Sequence, residues 1–328
     1  MRKVFLYISL IILVVFAIPF VFTREFYPSK EISNIEEQIE KVPYDYKQYR
    51  SIGVLDANTG NVNTVELDDY ICGVVAAEMP ANYELEALKA QAVVARTYTL
   101  YNIINSKDKH GDGVICTSPS CCQAWISKED RFNKWPEDER ESNWKKIEEA
   151  VFSTQGKIIE YNGEVIDAFF HSNSGGKTEI PANVWGGSNY PYLKVVETSG
   201  EDGYSQFRSE VQITKKELES KMKERYKDFS VDWNDNPIKI NEYTESGRVR
   251  SLKIGNKNIS GVEARSIFGL KSANFSFEIN NDVVKFSVIG YGHGVGLSQN
   301  GANSMAVNGA KYQDIILHFY ADVEIVDI

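Results

Sequence analysis

The sequence predicts an α+β fold, in which helices are mixed with antiparallel sheet. Three observations support this class. Helix-like and hairpin-like segments follow one another irregularly, without the strand–helix–strand alternation of a parallel α/β fold. No strand-like segment leads into a glycine fingerprint for phosphate binding. Hydrophobic residues make up 42% and aromatic residues 12% of the 328 residues, enough to bury a packed core.

The first residues contain a candidate membrane anchor. No charged residue occurs from Val4 to Phe22, a length close to the ~20 residues with which a helix crosses the bilayer core. A cleaved signal peptide is the alternative, but its apolar stretch is usually shorter, and "AIPFVF" offers no small-x-small cleavage site. Because Arg2 and Lys3 precede the apolar stretch, we expect a cytoplasmic tail and an extracytoplasmic main part.

The predicted organisation is therefore a tail at residues 1–3, an anchor at 4–22, a charged linker or stalk at 23–49 and one folded domain at 50–328. The formal net charge is −10. Binding to a phosphate backbone normally needs a clustered excess of Lys and Arg, which this chain lacks. Nucleic acid is therefore excluded as the main partner.

The folded part is expected to begin with a hairpin, because "SIGVLDANTGNVNTVEL" contains two short strand patterns around an Asn-Thr-Gly turn. Asp68 or Asp69 is expected to cap the following helix, "DDYICGVVAAEM", which Pro80 ends. A longer helix, "ELEALKAQAVVARTYTLYNII", presents an apolar face that includes Leu85 and Leu88 at helical spacing.

Later segments continue the mixture of helices and hairpins. "NWKKIEEAVFSTQ" predicts a helix that ends at Gly156, and "GKIIEYNGEVIDAFFHS" predicts a hairpin that turns at Asn162-Gly163. Residues 214–226 form a charged amphipathic pattern, and two further hairpins are expected in "PIKINEYTESGRVRSLKIG" and "FSFEINNDVVKFSVIG". The glycine-rich "GYGHGVGLSQNGA" predicts a tight loop that leads into a helix at "SQNGANSMAV".

Glu78 is the candidate general acid. It lies at the end of an apolar helix, immediately before Met79 and Pro80. Loss of hydration and the carboxyl end of the helix dipole both disfavour its negative charge and would raise its pKa. A carboxyl group of this kind can act as an acid near neutral pH. The alternative is an exposed glutamate in the last turn of a helix.

Two histidines and a Trp-Tyr-Lys segment are further candidates. His171, in "FFHSNSGGKTE", fits a hydrogen-bonded histidine beside a substrate groove better than a Ser-His dyad, since no third partner is evident. His293 could face the active site or hold its glycine-rich loop. In "VWGGSNYPYLKVV", Trp185, Tyr192 and Lys194 could stack on sugars or bind their oxygens; the alternative is core packing for the aromatics and solvent for the lysine.

Five motifs occur in one order: "GVVAAEMP" followed by "LKAQAVVARTY", then "FFHSNSGGKTE", "VWGGSNYPYLKVV" and "GYGHGVGLSQNGANSMA". Together they resemble the stage II sporulation protein D family across roughly residues 50 to 328. The resemblance implies a membrane-anchored lytic transglycosylase that cleaves peptidoglycan during engulfment of the forespore. Its substrate would be glycan strands whose stem peptides an amidase has removed.

The resemblance also implies roles for individual residues. Glu78 matches the family's catalytic glutamate and would act first as acid and then as base, giving 1,6-anhydro-muramic ends. Tyr192 and Lys194 would lie in the groove, and Tyr320 is a further groove candidate. Arg96 could bind sugar or a lactyl carboxylate. Because a close cation would lower the pKa of the acid, we expect Arg96 to hold substrate or to stabilise ionised Glu78 in the second step. The alternative for Arg96 is a charge paired at the surface.

A Cys/His loop, "KHGDGVICTSPSCCQAW", is the candidate metal site. His110, Cys116 and Cys122 could bind zinc, with Cys121 as an alternative ligand. A disulfide between Cys116 and Cys122 is the competing interpretation, and the residue pattern alone leaves the two open. The resemblance favours zinc, since some family members carry it on one histidine and two cysteines here. Because other members lack the metal, it implies an ion that orders the loop near Glu78.

The expected partners are glycan strands, a sporulation amidase and a membrane scaffold protein of the engulfment complex, and the expected location is the mother-cell membrane facing the forespore. Two alternatives remain open. One is a zinc-dependent peptidoglycan hydrolase or amidase, in which the metal generates hydroxide and Glu78 acts as base. The other is a non-enzymatic cell-wall-binding protein that activates another hydrolase.

Overall fold

The computed structural model describes residues 46–105, 107–111, 114–187 and 190–328. The predicted tail and anchor, and the predicted linker up to residue 45, lie outside the described residues. The described residues all belong to the compact unit Asp45–Ile328. None of the helices described there is long and apolar enough to cross a membrane.

Helices and strands alternate irregularly, which confirms the predicted α+β class. The helices, after a short 3₁₀ turn at Tyr46–Tyr49, are α1 (Leu67–Glu78), α2 (Leu85–Asn105), α3 (Lys107–His110), α4 (Lys128–Phe132), α5 (Arg140–Phe152), α6 (Pro181–Trp185), α7 (Lys215–Arg225), α8 (Gly261–Phe268), α9 (Gln299–Val307) and α10 (Tyr312–Phe319). The strands are β1 (Ser51–Leu55), β2 (Val62–Glu66), β3 (Val114–Cys116), β4 (Lys157–Tyr161), β5 (Glu164–Val165), β6 (Phe170–His171), β7 (Arg208–Thr214), β8 (Ile238–Tyr243), β9 (Val249–Ile254), β10 (Lys257–Ser260), β11 (Phe275–Asn280), β12 (Val283–Ile289), β13 (Leu297–Ser298) and β14 (Glu324–Asp327).

The predicted hairpins are present. β1 pairs antiparallel with β2, β4 with β5, β8 with β9 and β11 with β12. The β4–β5 turn places Asn162 at φ 53° and Gly163 at φ 74°, the conformation that an Asn-Gly hairpin turn requires. Two pairings, β1 with β3 and β6 with β13, are parallel, so the sheets are not purely antiparallel.

The positions of α1 and α2 were predicted correctly, but two details were wrong: the N-cap of α1 and the apolar face of α2. The N-cap residue of α1 is Glu66, without a side-chain cap bond, while Asp68 and Asp69 lie inside the first turn. The expectation of an Asp cap was therefore wrong. α2 has no single apolar face: even polar residues on it, such as Gln91 and Thr97, are buried, because other helices and strands pack around it.

Two hydrophobic cores fill this unit. The first surrounds α2 and takes residues from α1, α5, β4 and α10. The second lies between α7, α8 and the sheets β10-β9-β8 and β11-β12-β7. Buried hydrogen bonds join the two parts: Arg248, which precedes β9, donates to the backbone carbonyls of Lys177 and Ser174 at 3.0 and 2.8 Å. The glycine-rich segment between β12 and β13 passes over the first core.

That segment brings β13 beside β6. Gly296 has φ 71°, and a Cβ atom there would lie 1.9 Å from the carbonyl oxygen of Phe169, so only glycine allows this approach. β13 and β6 then pair over two residues, with Ser298 opposite His171. Gln299 begins α9 directly after this strand. The pairing thereby brings Gln299 and His171 to the same region as the end of α1.

Candidate active site

The Glu78 carboxyl lies where three parts of the chain meet. It ends α1, its Oε1 accepts the backbone N–H of Ala124 at 3.0 Å, and its Oε2 accepts from the Gln299 side chain at 3.1 Å. Burial raises the pKa of Glu78, and these two hydrogen bonds offset part of that rise. The group can therefore hold a proton at a higher pH than an exposed glutamate, and two donors remain to stabilise it once ionised.

A cavity of about 450 Å³ opens beside Glu78. Its walls are mainly aromatic rings, imidazoles and backbone of the Cys/His loop; they include Tyr98, Cys122, Gln123, Ala124, Phe169, Phe170, His171, Ser172, Tyr291, His293 and Gln299. The sequence-predicted Glu78, His171 and His293 are thus brought together at one cavity. A mixture of apolar faces and convergent polar groups is typical of a ligand-binding site.

The two histidines are neutral acceptors and donors. Burial lowers the pKa of His171 to about 3 and that of His293 well below its ordinary value. Since His171 Nδ1 lies 3.1 Å from the carbonyl oxygen of Val295, this nitrogen carries the proton, and its buried Nε2 is an acceptor without a partner among the described residues. His293 Nδ1 accepts the N–H of Val295 at 3.0 Å. His293 thus both faces the cavity and holds its loop.

An exposed tryptophan extends the aromatic wall. Trp185, at the end of α6, is 52% exposed and has its ring centroid 4.7 Å from that of Phe169 and 5.1 Å from that of His293. Those two residues line the cavity. The face of Trp185 thus offers a stacking surface at the cavity's edge.

The Cys/His loop forms a compact cluster. The ligand atoms of His110, Cys116, Cys121 and Cys122 all lie within 4.8 Å of one another. All cysteines of the chain are free thiols in the structure, so the disulfide alternative has no bond there. The backbone of Cys122 leads through Gln123 to Ala124, the donor to Glu78. The cluster therefore lies two residues from a hydrogen bond to the candidate acid.

The cluster's dimensions match a tetrahedral zinc site. His110 Nε2 lies 3.2 Å from Cys121 Sγ and 3.6 Å from Cys122 Sγ, and the two sulfur atoms are 4.0 Å apart. Bonds of about 2.3 Å to sulfur and 2.0 Å to nitrogen would separate tetrahedral ligands by about 3.8 Å between sulfurs and about 3.5 Å between nitrogen and sulfur. The distance from His110 to Cys122 is closer to this value than the distance to Cys121, which is somewhat short.

Arg96 is not in this cavity. Its side chain is fully buried and forms an ion pair with Asp68 at 2.7 Å. It also donates to the backbone carbonyls of Val151, Thr154 and Lys157 at 3.2, 2.9 and 3.2 Å. Placing Arg96 at the substrate was therefore wrong: its guanidinium joins α1 to the end of α5 and the start of β4.

The other groove candidates also lie outside the cavity wall. Tyr192 is buried, and its hydroxyl accepts the N–H of Asp167 at 3.0 Å. The Lys194 ammonium pairs with Asp322 at 2.9 Å on the surface. Tyr320 is fully buried, and its hydroxyl donates to the carbonyl of Phe169 at 2.6 Å. Tyr192 and Tyr320 are buried and support the strands behind the cavity, so their assignment to direct substrate contact is corrected. Lys194 does not line the cavity, and its contact with substrate stays a prediction.

Sequence reasoning missed residues that position the site. Gln299 was inside a quoted motif but not singled out. Glu201 is buried and accepts from Ser298, the cap of α9, and from the backbone N–H of Ser174 and Gly176 at 3.1 and 3.0 Å. It thereby ties the Ser-Asn-Ser-Gly-Gly turn to the helix that carries Gln299. Nothing in the "SGEDGY" context distinguishes this glutamate from an exposed one.

Comparison with known proteins tests the resemblance. Residues 56–161 match the family model "Stage II sporulation protein". The chain is 34% identical over 298 residues to stage II sporulation protein D of Bacillus subtilis (strain 168), which covers 90% of this chain and 83% of that protein. The chain belongs to the stage II sporulation protein D family.

Two other relatives extend this finding. The stage II sporulation protein D of Bacillus amyloliquefaciens is 32% identical, with 90% of this chain and 83% of that protein covered. The amidase enhancer of Bacillus subtilis (strain 168) is 28% identical over 76% of this chain but only 39% of its own length. The motif-based assignment to the stage II sporulation protein D family is confirmed.

Proposed function

We propose that this protein is a peptidoglycan lytic transglycosylase that cleaves the bond between N-acetylmuramic acid and N-acetylglucosamine. The main observation in favour of this proposal is that, in the part of the chain that the structure describes, Glu78 has no second carboxyl group beside it. Among the described residues that line the cavities beside Glu78, no other Asp or Glu occurs. Ordinary glycoside hydrolysis uses two carboxyl groups flanking the bond, whereas a transglycosylase can use one, because the substrate's own hydroxyl replaces water.

The geometry around Glu78 suits both halves of such a reaction. In the first step the protonated carboxyl donates its proton to the bridging oxygen, the bond from C1 to that oxygen breaks, and the 2-acetamido group of the muramic residue supports the positive charge at C1. The carboxylate left behind is stabilised by the Ala124 N–H and the Gln299 amide. In the second step it takes the proton of the muramic C6 hydroxyl as that oxygen bonds to C1, which closes the 1,6-anhydro ring.

In this proposal the side chains of the cavity walls bind the glycan strand. The rings of Tyr98, Phe169 and Tyr291 offer apolar faces on which sugar rings can stack. In this proposal His110, Cys116 and Cys122, with Cys121 as a fourth ligand, hold one zinc ion that fixes the loop. An ion held there would supply a rigid anchor, and the chain's own Ala124 N–H would then remain aimed at the Glu78 carboxyl.

We further propose that the apolar N-terminus anchors the protein in the mother-cell membrane with the described unit outside the cytoplasm. An amidase that removes stem peptides and a membrane scaffold protein are its proposed partners. The amidase enhancer among the relatives supports the link to an amidase.

The test uses the full chain in detergent micelles with glycan strands that an amidase has stripped of peptide. We expect mass spectrometry to find new 1,6-anhydro-muramic ends with the wild type and at least about 1000-fold fewer with Glu78→Gln, since the amide is isosteric but cannot donate a proton. Glu137→Gln, the same acid-to-amide change at an exposed residue, should leave the rate unchanged. Reducing ends in place of anhydro ends would contradict the transglycosylase assignment.

Two other functions make distinct predictions in the same assay. A zinc hydrolase or amidase is favoured by one observation, that Cys122 lines the cavity of Glu78. It predicts released peptides from intact peptidoglycan, no new glycan ends, and complete loss of activity with a chelator. A non-enzymatic activator is favoured by the amidase enhancer relative, and it predicts that Glu78→Gln still stimulates an amidase.

A further inference from the structure

A second cavity adjoins the first at Glu78. It has a volume of about 250 Å³ and is lined by Glu78, Tyr83, Arg131, Ser172, Gln206, Gln299 and Asn300, among others. Glu78, Ser172 and Gln299 line both cavities. The candidate acid therefore lies at their boundary, where the bond of a strand that occupies both would have to lie.

The two cavities differ in charge. Among the described residues, no Lys or Arg lines the larger cavity, and its histidines are neutral. Arg131 is the cation of the smaller one. A strand of alternating sugars that occupied both cavities would thus meet an uncharged wall in the larger one and a positive group in the smaller one.

The Arg131 guanidinium has no anionic partner in the described part of the chain. Its Nε is buried and makes no hydrogen bond, and no carboxylate forms an ion pair with it. The adjacent Asp130 carboxyl is engaged by Ser127 at 2.8 Å. The guanidinium instead stacks over the ring of Trp135, 4.7 Å from its centroid, which holds it in place. A half-buried, oriented and unpaired guanidinium is suited to a bidentate carboxylate from a ligand.

The proposed substrate contains one such carboxylate. The lactyl group of N-acetylmuramic acid ends in a free carboxylate when the stem peptide has been removed, and in a neutral amide when the peptide is attached. The free acid would pair with Arg131, whereas the amide would leave the cation partly buried and unpaired.

We propose that Arg131 binds the lactyl carboxylate of a muramic residue next to the cleaved bond and so makes the enzyme selective for strands without stem peptides. The proposal rests on the proposed function for the identity of the strand. It gives Arg131 the part that the sequence had suggested for Arg96, whose guanidinium is already committed to Asp68.

The experiment compares two substrates on the full chain in detergent micelles: amidase-stripped glycan strands, and the same strands with the lactyl carboxylates converted to N-methylamides. The wild type should prefer the free acid by about 10- to 100-fold in kcat/KM, the range of a charge-assisted hydrogen-bonded pair. Arg131→Gln should lose that factor on the acid and change less than about 2-fold on the amide. Arg131→Lys should recover part of the preference, and Lys134→Gln, an exposed charge three residues away, should retain all of it. A preference that survives in Arg131→Gln, or an equal loss on both substrates, would overturn the assignment.

A binding measurement separates this proposal from the proposed function. Calorimetry of both strands with Glu78→Gln, and with Glu78→Gln combined with Arg131→Gln, requires no turnover. A preference for the acid that disappears with Arg131 supports the assignment even if the wild type produces no anhydro ends, in which case only the transglycosylase fails. Equal affinity of Glu78→Gln for the acid and the amide strands would refute the Arg131 assignment, but it would not contradict the proposed transglycosylase reaction.

Discussion

A buried carboxyl group, that of Asp167, lies in the core behind the candidate active site. Replacing Asp167 with asparagine tests whether burial raises the pKa of this group in the folded protein. Asp167 lies between β5 and β6 and is only 8% exposed, and its Oδ1 has no hydrogen-bond partner among the described residues. Burial raises the pKa of Asp167 from 3.8 to about 7, opposed by the charge of Lys109. The phenols of Tyr98, Tyr101 and Tyr192 also face it.

The sign and size of the effect follow from the two pKa values. Well below pH 3.8 the carboxyl is protonated in both the folded and the unfolded chain. As the pH rises toward about 7, the unfolded chain gives up its proton first, so the free energy of unfolding falls. At 1.36 kcal/mol per pH unit the loss amounts to about 4 kcal/mol. An asparagine side chain does not titrate, so Asp167→Asn should match the wild type in acid and be more stable in alkali.

The assay is urea unfolding of wild type and Asp167→Asn at about pH 4, 6 and 8, followed by tryptophan fluorescence. We expect the difference in unfolding free energy to grow from less than about 1 kcal/mol to about 4 kcal/mol across this range. Asp202→Asn, which removes an exposed carboxyl, serves as the matched control and should parallel the wild type. A pH-independent difference between Asp167→Asn and wild type would refute the reasoning, because it would show that the carboxyl does not titrate on folding.

Three further predictions concern the site and its support. Gln299→Met removes a donor that lowers the pKa of Glu78, so the alkaline fall in kcat/KM should move to higher pH while the maximum drops about 10-fold; an unmoved pH profile would argue against this contact. Arg96→Met removes the cation that pairs with Asp68, leaving it only the hydrogen bond from Gln155, and should cost about 3–5 kcal/mol in urea unfolding with KM for glycan strands unchanged; a raised KM in the folded variant would restore the predicted role of Arg96 at the substrate. Gly73→Ala would place a Cβ 2.2 Å from Nε1 of Trp125, which should cost about 1–3 kcal/mol and reduce activity by shifting the loop, whereas an unchanged melting temperature would count against the close packing.

Local features of the chain were predictable because their causes are local. Asn162-Gly163 adopts the positive φ values of a hairpin turn, and Pro80 follows directly after α1 ends. Glu78 could be singled out in the same way, since an acidic residue at the end of an apolar helix is visible in the sequence. The clustering of His110 with the cysteines also depends on a short segment, so it too could be foreseen.

The rest depends on contacts between distant segments. Arg96 is recognisable as a charge in an apolar helix, but only the packing of α5 supplies the carbonyl oxygens that make it a buried structural residue. The site amide of Gln299 reaches Glu78 across 221 positions of sequence. Arg131, in a short charged helix, gives no signal at all until Trp135 and the second cavity are seen around it. Helical period and turn chemistry carry no information on such pairings.

The hydroxyl of Tyr320 has a consequence for when the site around Glu78 is assembled. It bonds to the carbonyl of Phe169, 151 positions earlier, and accepts the N–H of Leu297, so it fastens the two short strands that carry His171 and lead to Gln299. During synthesis, every residue around Glu78 has been added before Tyr320 is. A nascent chain, or one trimmed from its C-terminal end, would therefore contain every residue around Glu78 and still lack the hydrogen bonds of Tyr320 that align them. The site is then complete only once the C-terminal residues have folded.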